Sequence, residues 1–433
     1  MKRMALLALA VGLSAAGVGI AGSHAKTAAR FQLVGRVNPG LPYTADVSAL
    51  RDHAYLSSWG GRSCRSLGVR VYDLAAPSRP RQVSTFADGK SQPRLDGSWT
   101  EKTIVRTVNT PSFTGDLAVT SVQGCRPGGM QGFALYDVSD PANPRELALV
   151  PTQPRGSHEI WLQRVGRRVY VWTAIIASER RSSPDDGATP GDPDFRVFDV
   201  SDPTQPRQVG AWGAWRALGL RPDRVPDQTL DWNFVHSVTG NAAGTRAYLS
   251  YWDLGTIILD VSNPARPRYL GRTARSPGGI DNAHSTWTAQ SGRVLIETHE
   301  RDGGRPTFWN IANARKPVRL GEFRLPRAVI AVGRGHRLDR VSGLDLGDSV
   351  HDAKVQGKVA FFSWYRQGVV AADISNPRKP RFLARFLPPA TADPGENFCP
   401  GGRCVSVWGV FVTPKYVLAS DMVSGLYVLR LRR

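Results

Sequence analysis

Three features of the 433-residue sequence predict an all-β protein, a seven-bladed β-propeller of four-stranded blades whose last blade is closed by N- and C-terminal strands. The first is a proline-containing phrase that recurs along the chain. It reads LYDVSDPANPRELA from Leu135, VFDVSDPTQPRQVG from Val197, ILDVSNPARPRYLG from Ile258 and AADISNPRKPRFLA from Ala371, with weaker copies VYDLAAPSRPRQVS from Val71 and FWNIANARKPVRLG from Phe308. The second is the spacing. The anchor residues Asp73, Asp137, Asp199, Asp260, Asn310 and Asp373 stand 50 to 64 residues apart, room for one supersecondary unit each. The third is that the two chain ends each supply part of a further unit.

Each unit divides into four strands. In the copy around Asp260 these are strand a (His236 to Thr239), b (Arg246 to Trp252), c (Thr256 to Val261) and d (Arg268 to Arg272), with Asn-Ala-Ala-Gly as the turn between a and b. Proline fixes φ and cannot donate to a ladder, so the Ser-Asp-Pro or Ser-Asn-Pro step must connect c to d rather than lie within either. Four strands at this period are the signature of propeller blades. A helical solenoid would need long stretches of 3.6-residue periodicity, which do not occur beyond the first residues. A chain of separate sandwiches fails because one unit is too small to bury its own core.

Six anchors give six blades, and the ends give the seventh. The stretch from Cys404 to Arg433 supplies strands a, b and c and then stops without a proline turn. The missing strand d is FQLVGRV (Phe31 to Val37), which matches PRYLGRT and PVRLGEF elsewhere. A blade built from both termini leaves no free sheet edge at the join. The repeats LYDVSDPANP, ILDVSNPARP and AADISNPRKP resemble the LVIVD repeat of bacterial and archaeal secreted or surface proteins. That resemblance implies a propeller fold and a secreted or cell-surface location; it carries no uniform activity and hence no catalytic residue.

Residues 1–25 read as a secretory signal peptide: Lys2 and Arg3, an apolar stretch from Ala5 to Ala21, and Ser23-His24-Ala25 as the cleavage site. Residues 26–433 are then a single propeller domain. The four cysteines suit an oxidising compartment. Cys399 and Cys404 close a small loop, and Cys64 and Cys125 occupy the b-to-c loops of neighbouring blades, where a bridge is expected. Lys and Arg outnumber Asp and Glu by 56 to 36, a net charge of +20. Such a charge bears on solubility and nonspecific attraction. Outside the cytoplasm its partners would be an extracellular protein, a glycan or an anionic wall polymer. Arginines spread through every blade form no groove-reading motif, so nucleic acid is not expected. No hydrophobic segment of the mature chain is expected to span a membrane, and a monomer is expected.

Strand order fixes which face carries function. The a-to-b and c-to-d turns are short and share one plain face, whereas the long insertions at 178–195, 213–231, 327–349 and 388–403 fall on the other, where the d-to-a and b-to-c connections emerge. Long irregular loops are where binding concentrates. Four consecutive blades place a histidine at the start of strand a on that face, His158, His236, His284 and His351, with Trp408 at the matching position of the last blade. His299 ends a strand b nearby, His336 lies in an insertion, and His53 falls on the plain face. Glu159, Asp231, Asp281, Glu300, Asp348 and Asp352 stand close to the ring. Imidazoles converging with carboxylates are a ligand set for a transition-metal ion such as Cu, Zn, Mn or Fe. The same histidines equally suit a structural device that bonds neighbouring blades in register. Trp59, Trp252 and Trp364, at the ends of strands b, could stack on sugar rings or pack between blades. Trp172 occupies a similar place.

The sequence contains no G-x-S-x-G elbow, no H-E-x-x-H and no P-loop. The reading is therefore an extracellular binding or scaffold module acting through its loop-rich face. Its alternative is a metal-dependent enzyme, an oxidoreductase among others, using His158, His236, His284, His351 and His299.

Overall fold

The structure is a computed structural model that describes residues 29–433, apart from 41–42, 62–63, 182–188, 223–232, 275–281, 301–302, 331–348, 394–398 and 400–401. The signal-peptide assignment, His336, Asp231, Asp281 and Asp348 lie outside the described residues.

Seven four-stranded antiparallel sheets stand in a ring. In strand order a to d, blade 1 is Thr44–Leu50, His53–Ser58, Val69–Asp73 and Arg81–Phe86. Blade 2 is Thr103–Asn109, Thr114–Gly124, Gly132–Asp137 and Arg145–Pro151. Blade 3 is Glu159–Val165, Arg168–Ala174, Phe195–Asp199 and Arg207–Trp212. Blade 4 is Val235–Gly240, Arg246–Tyr251, Gly255–Asp260 and Arg268–Arg272. Blade 5 is Ala283–Ala289, Val294–His299, Thr307–Asn310 and Val318–Glu322. Blade 6 is Asp352–Gln356, Val359–Trp364, Gly368–Asp373 and Arg381–Phe386.

Blade 7 takes Val407–Val412, Val417–Asp421 and Gly425–Arg432 from one end of the chain and Arg30–Val37 from the other. Phe31 pairs with Leu431 and Val37 with Leu426, so the ring closes as the sequence predicts. One feature goes beyond the sequence reading: a short strand, Ser98–Trp99, adds to blade 2 beside strand b.

Burial follows from the ring. Strands b are buried along almost their whole length, because a blade is covered on both faces by its neighbours, whereas strands d at the rim start exposed and are mostly half-buried beyond. Each of the seven blade junctions holds its own apolar cluster. Tyr170, Trp172 and Phe195 of blade 3, for instance, pack on Val238, Leu249 and Ile257 of blade 4. The closing junction packs Val47, Leu56 and Tyr72 against Leu418, Leu426 and Val428.

The recurring phrase has two physical causes. Its aspartate turns the chain, accepting a backbone N–H two residues on: Ala75 to Asp73, Ser139 to Asp137, Ser201 to Asp199, Ser262 to Asp260 and Ser375 to Asp373, at 2.8–3.0 Å. In most blades the arginine that opens strand d then pairs with the same carboxylate, as Arg268 does with Asp260 at 2.8 Å. The glycine that closes the phrase lets strand d lie against the proline turn of the next blade. A Cβ on Gly35 or Gly210 would stand 2.1 Å from the Pro77 oxygen or 2.0 Å from that of Pro264.

Both expected disulfides form. Cys64 and Cys125 join the b-to-c loops of blades 1 and 2, and Cys399 and Cys404 close the loop between blades 6 and 7.

A buried acid pair ties an insertion of blade 3 to blade 4. Glu179 accepts the N–H groups of Trp215 at 2.9 Å and Arg216 at 3.0 Å, at the start of the short helix Ala214–Leu218. Asp194 accepts the Glu179 N–H at 2.9 Å and the Tyr251 hydroxyl at 3.2 Å. Burial pushes the Asp194 carboxyl up to about 8, and Glu179 moves the same way. The folded protein therefore retains a proton that the unfolded chain releases near pH ~4, so this group's contribution falls as pH rises from about 4 to about 8. Asp194→Asn keeps the shape without the ionisation. Its unfolding free energy should rise relative to the parent's between pH 5 and pH 8, the variant losing less stability, as read from urea titrations; a pH-independent difference would contradict the assignment.

Candidate functional site at the channel mouth

The start of every strand a faces the central channel, and its register is set by one repeated bond. The backbone N–H of Lys102, Ser285, Asp352 and Gly409 each reaches a hydroxyl on its own blade's strand b: Ser121, Thr298, Ser363 and Ser420, at 2.9–3.1 Å. The residues just before them therefore share one position on the ring. In chain order that position holds Ala45, Glu101, His158, His236, His284, His351 and Trp408. The next position holds Asp46, Lys102, Glu159, Ser237, Ser285, Asp352 and Gly409.

The upper layer is a continuous arc. The Glu101 carboxylate lies 3.0 Å from His158 Nδ1, and His158 Nε2 lies 3.0 Å from His236 Nε2. The rings of His236 and His284 are 4.2 Å apart, those of His284 and His351 4.3 Å, and those of His351 and Trp408 4.2 Å, centre to centre. His236, His284 and His351 are 2–6% exposed.

Glu300, just beyond the end of strand b of blade 5, reaches into this arc. Its Oε2 lies 3.2 Å from His284 Nε2, while its Oε1 accepts the Tyr365 hydroxyl. One ligand atom each from His236, His284 and Glu300 lie within 4.8 Å of one another. The other nitrogen of His284 fixes the chemistry. His284 Nδ1 is 2.6 Å from the backbone oxygen of His351, an acceptor only, so Nδ1 carries the hydrogen. The neutral ring then aims its Nε2 lone pair at a carboxylate oxygen. Two acceptors 3.2 Å apart need a proton or a metal ion between them.

Beneath the arc lies a charged layer. Lys102 crosses the channel, with its ammonium 2.7 Å from Asp46, 3.1 Å from Glu159 and 3.7 Å from Asp352, residues of blades 1, 3 and 6. Lys354 also pairs with Asp352. Five carboxylates, those of Asp46, Glu101, Glu159, Glu300 and Asp352, thus share this part of the channel with two lysines.

Ionisation follows from burial first and neighbours second. Burial drives His236 and His351 well below the usual imidazole range and His284 to about 3, so all three are neutral. Burial also opposes charge on His158, but the Glu101 carboxylate outweighs it and raises that group. Glu159 and Glu300 are pushed up to about 7 by burial. Lys102 is held charged against its own burial by Asp46, Glu159 and Asp352.

Other residues singled out in the sequence take varied places. Trp252 stacks on His236 at 5.0 Å, and Trp408 borders His351. Trp59 stacks on Trp99 at 4.7 Å beside the mouth, and the Trp99 indole donates to Gln123, whose side chain also meets His158. Trp364 is buried in the cluster between blades 5 and 6, and Trp172 in that between blades 3 and 4. His299 is buried at the end of its strand, where its ring meets Thr307 at 3.2 Å and Glu297 at 3.4 Å rather than the group of three. Sequence reasoning passed over Glu101, Lys102, Asp46 and Tyr365. Counting back from the a-to-b turn does not find the first two, because Glu101 stands eight residues before the end of its strand a whereas the histidines stand four to seven before the end of theirs.

Comparison with known proteins agrees with this architecture. A family model for the LVIVD repeat matches residues 241–274, which hold strands b, c and d of blade 4. The chain is a seven-bladed β-propeller that carries an LVIVD repeat. No curated protein matches the sequence. Among solved structures, Raptor from Chaetomium thermophilum superposes with a TM-score of 0.55 at 12% identity. That match covers 94% of this chain and 30% of Raptor, so this chain spans under a third of that protein, and the likeness concerns the fold alone. The computationally designed Ika8 protein gives a TM-score of 0.49 at 8% identity, covering 92% of this chain and 99% of the designed one.

Proposed function

We propose that this chain is an exported binding propeller that holds a transition-metal ion at its channel mouth, with His236, His284 and Glu300 as ligands. The observation that carries this reading is the facing pair of acceptors, His284 Nε2 and Glu300 Oε2, with His236 within reach of both. A dication there satisfies both lone pairs and offsets the excess of carboxylates over lysines in the channel. His158 and His351 flank the ion, with Trp252 and Trp408 as its apolar walls.

Export is supported by the basic and apolar start of the sequence and by two disulfides, and among the described residues no helix is long and apolar enough to cross a membrane. Residues 26–433 then form the mature propeller, and its loop-rich face is the surface offered to an extracellular protein or glycan. Titration of chelator-treated protein with zinc or copper, followed by calorimetry, tests the site. One equivalent should bind, and saturation should be unaffected by His299→Ala. Absence of any saturable binding would overturn the reading.

A further inference from the structure

A second site lies on the plain face, away from the histidines. A cleft of about 410 Å³ opens between the a-to-b turns of blades 6 and 7, bordered by Lys358, Lys415, Arg430 and Arg433 with Tyr416 among them. No carboxylate side chain lines it among the described residues. Tyr416 holds Arg430 in place: the guanidinium lies 5.0 Å over its ring and donates to its hydroxyl at 3.2 Å.

The origin of this charge is visible in the repeat. Strand c opens on Gly132, Gly255 and Gly368 in blades 2, 4 and 6, and five residues later stands the anchor Asp137, Asp260 or Asp373. In blade 7 the same count from Gly425 reaches Arg430. The ordinary arrangement appears in the equivalent cleft between blades 2 and 3, about 480 Å³, where Arg167, Arg168 and Arg207 meet Asp199 and Asp202. There Arg168 pairs with Asp199 at 3.3 Å. One position is thus neutralised within the chain in blade 3 and reversed in sign in blade 7.

We infer that the cleft between blades 6 and 7 binds a phosphate group, as a monoester or diester on a soluble or polymeric ligand. Two guanidinium forks and two ammonium groups around a concave floor offer many donors to one tetrahedral oxyanion. In blades 1, 2, 4 and 6 the anchor aspartate pairs with an arginine, whereas the blade 7 position carries a cation in a cleft lined, among the described residues, by no acidic side chain, a concave site that suits a single phosphate rather than an extended anionic membrane.

Calorimetry on the full chain with inorganic pyrophosphate tests the inference. Arg430→Asp installs the residue that five of the other six blades carry, and should weaken binding at least tenfold. The double variant Lys358→Ala, Lys415→Ala should weaken it similarly, giving a second reading should the first variant misfold. Arg168→Ala, in the cleft between blades 2 and 3, should leave affinity unchanged. A poly(glycerol phosphate) that competes with pyrophosphate would identify a phosphodiester polymer as the source. Undetectable pyrophosphate binding, equal binding by the parent and Arg430→Asp, or attachment to phosphatidylglycerol vesicles that pyrophosphate does not displace would each overturn it.

Discussion

Replacing Lys102 with methionine should lower the unfolding free energy by about 3–5 kcal/mol, the cost of leaving buried charges without their partner. Methionine keeps the length of the aliphatic stem, so the loss isolates the ammonium. Asp46, Glu159 and Asp352 come from three different blades and meet at Lys102 Nζ, so the variant leaves three carboxylates facing one another across the channel, with Lys354 compensating only Asp352. Urea unfolding of the variant, with and without Asp46→Asn, checks the argument. Neutralising Asp46 in the same molecule should recover part of the loss. A change below about 1 kcal/mol, the size of an exposed ion pair, would mean that water reaches this layer freely.

The second large effect concerns the metal site. His236→Ala with His284→Ala should weaken metal binding by about 100-fold or more, since even residues that only orient ligands cost 10- to 100-fold when removed. His299→Ala serves as control, because its ring engages Thr307 and Glu297 outside the group of three. If the arc serves only to hold blades in register, the double variant would lose melting temperature while metal affinity stayed within a few-fold of the parent. The two roles therefore move different observables.

The blade architecture was legible because its causes are local. A turn aspartate or asparagine and a proline recur wherever strand c passes to strand d, joined in blades 3, 4 and 5 by a close-approach glycine, and the turn residue leaves a mark that survives in weak copies such as those around Asp73 and Asn310. The closing strand from Phe31 to Val37 was legible for the same reason.

The channel was only half legible. Four histidines repeat at one register and can be found by eye, but what they meet depends on geometry around the ring. Glu300 follows a strand b, Tyr365 comes from the adjacent blade, and Lys102 reaches across the channel to a blade four positions away in the chain. Spacing along the sequence does not encode contacts of that kind. The tryptophans differ by one residue of register: Trp364 ends its strand b where Tyr251 ends that of blade 4, and Trp252 lies one residue further, so Trp252 stacks on a channel histidine and Trp364 fills a blade junction.

The most direct test of the metal assignment is elemental analysis of the protein purified from its own export route without a histidine tag, beside the Glu300→Gln variant prepared in the same way. The account predicts close to one equivalent of a transition metal in the parent and a marked loss in the variant, because the amide cannot supply the anionic oxygen opposite His284. Parent protein free of metal, and remaining so after metal is added back, would mean that a proton rather than an ion bridges His284 and Glu300.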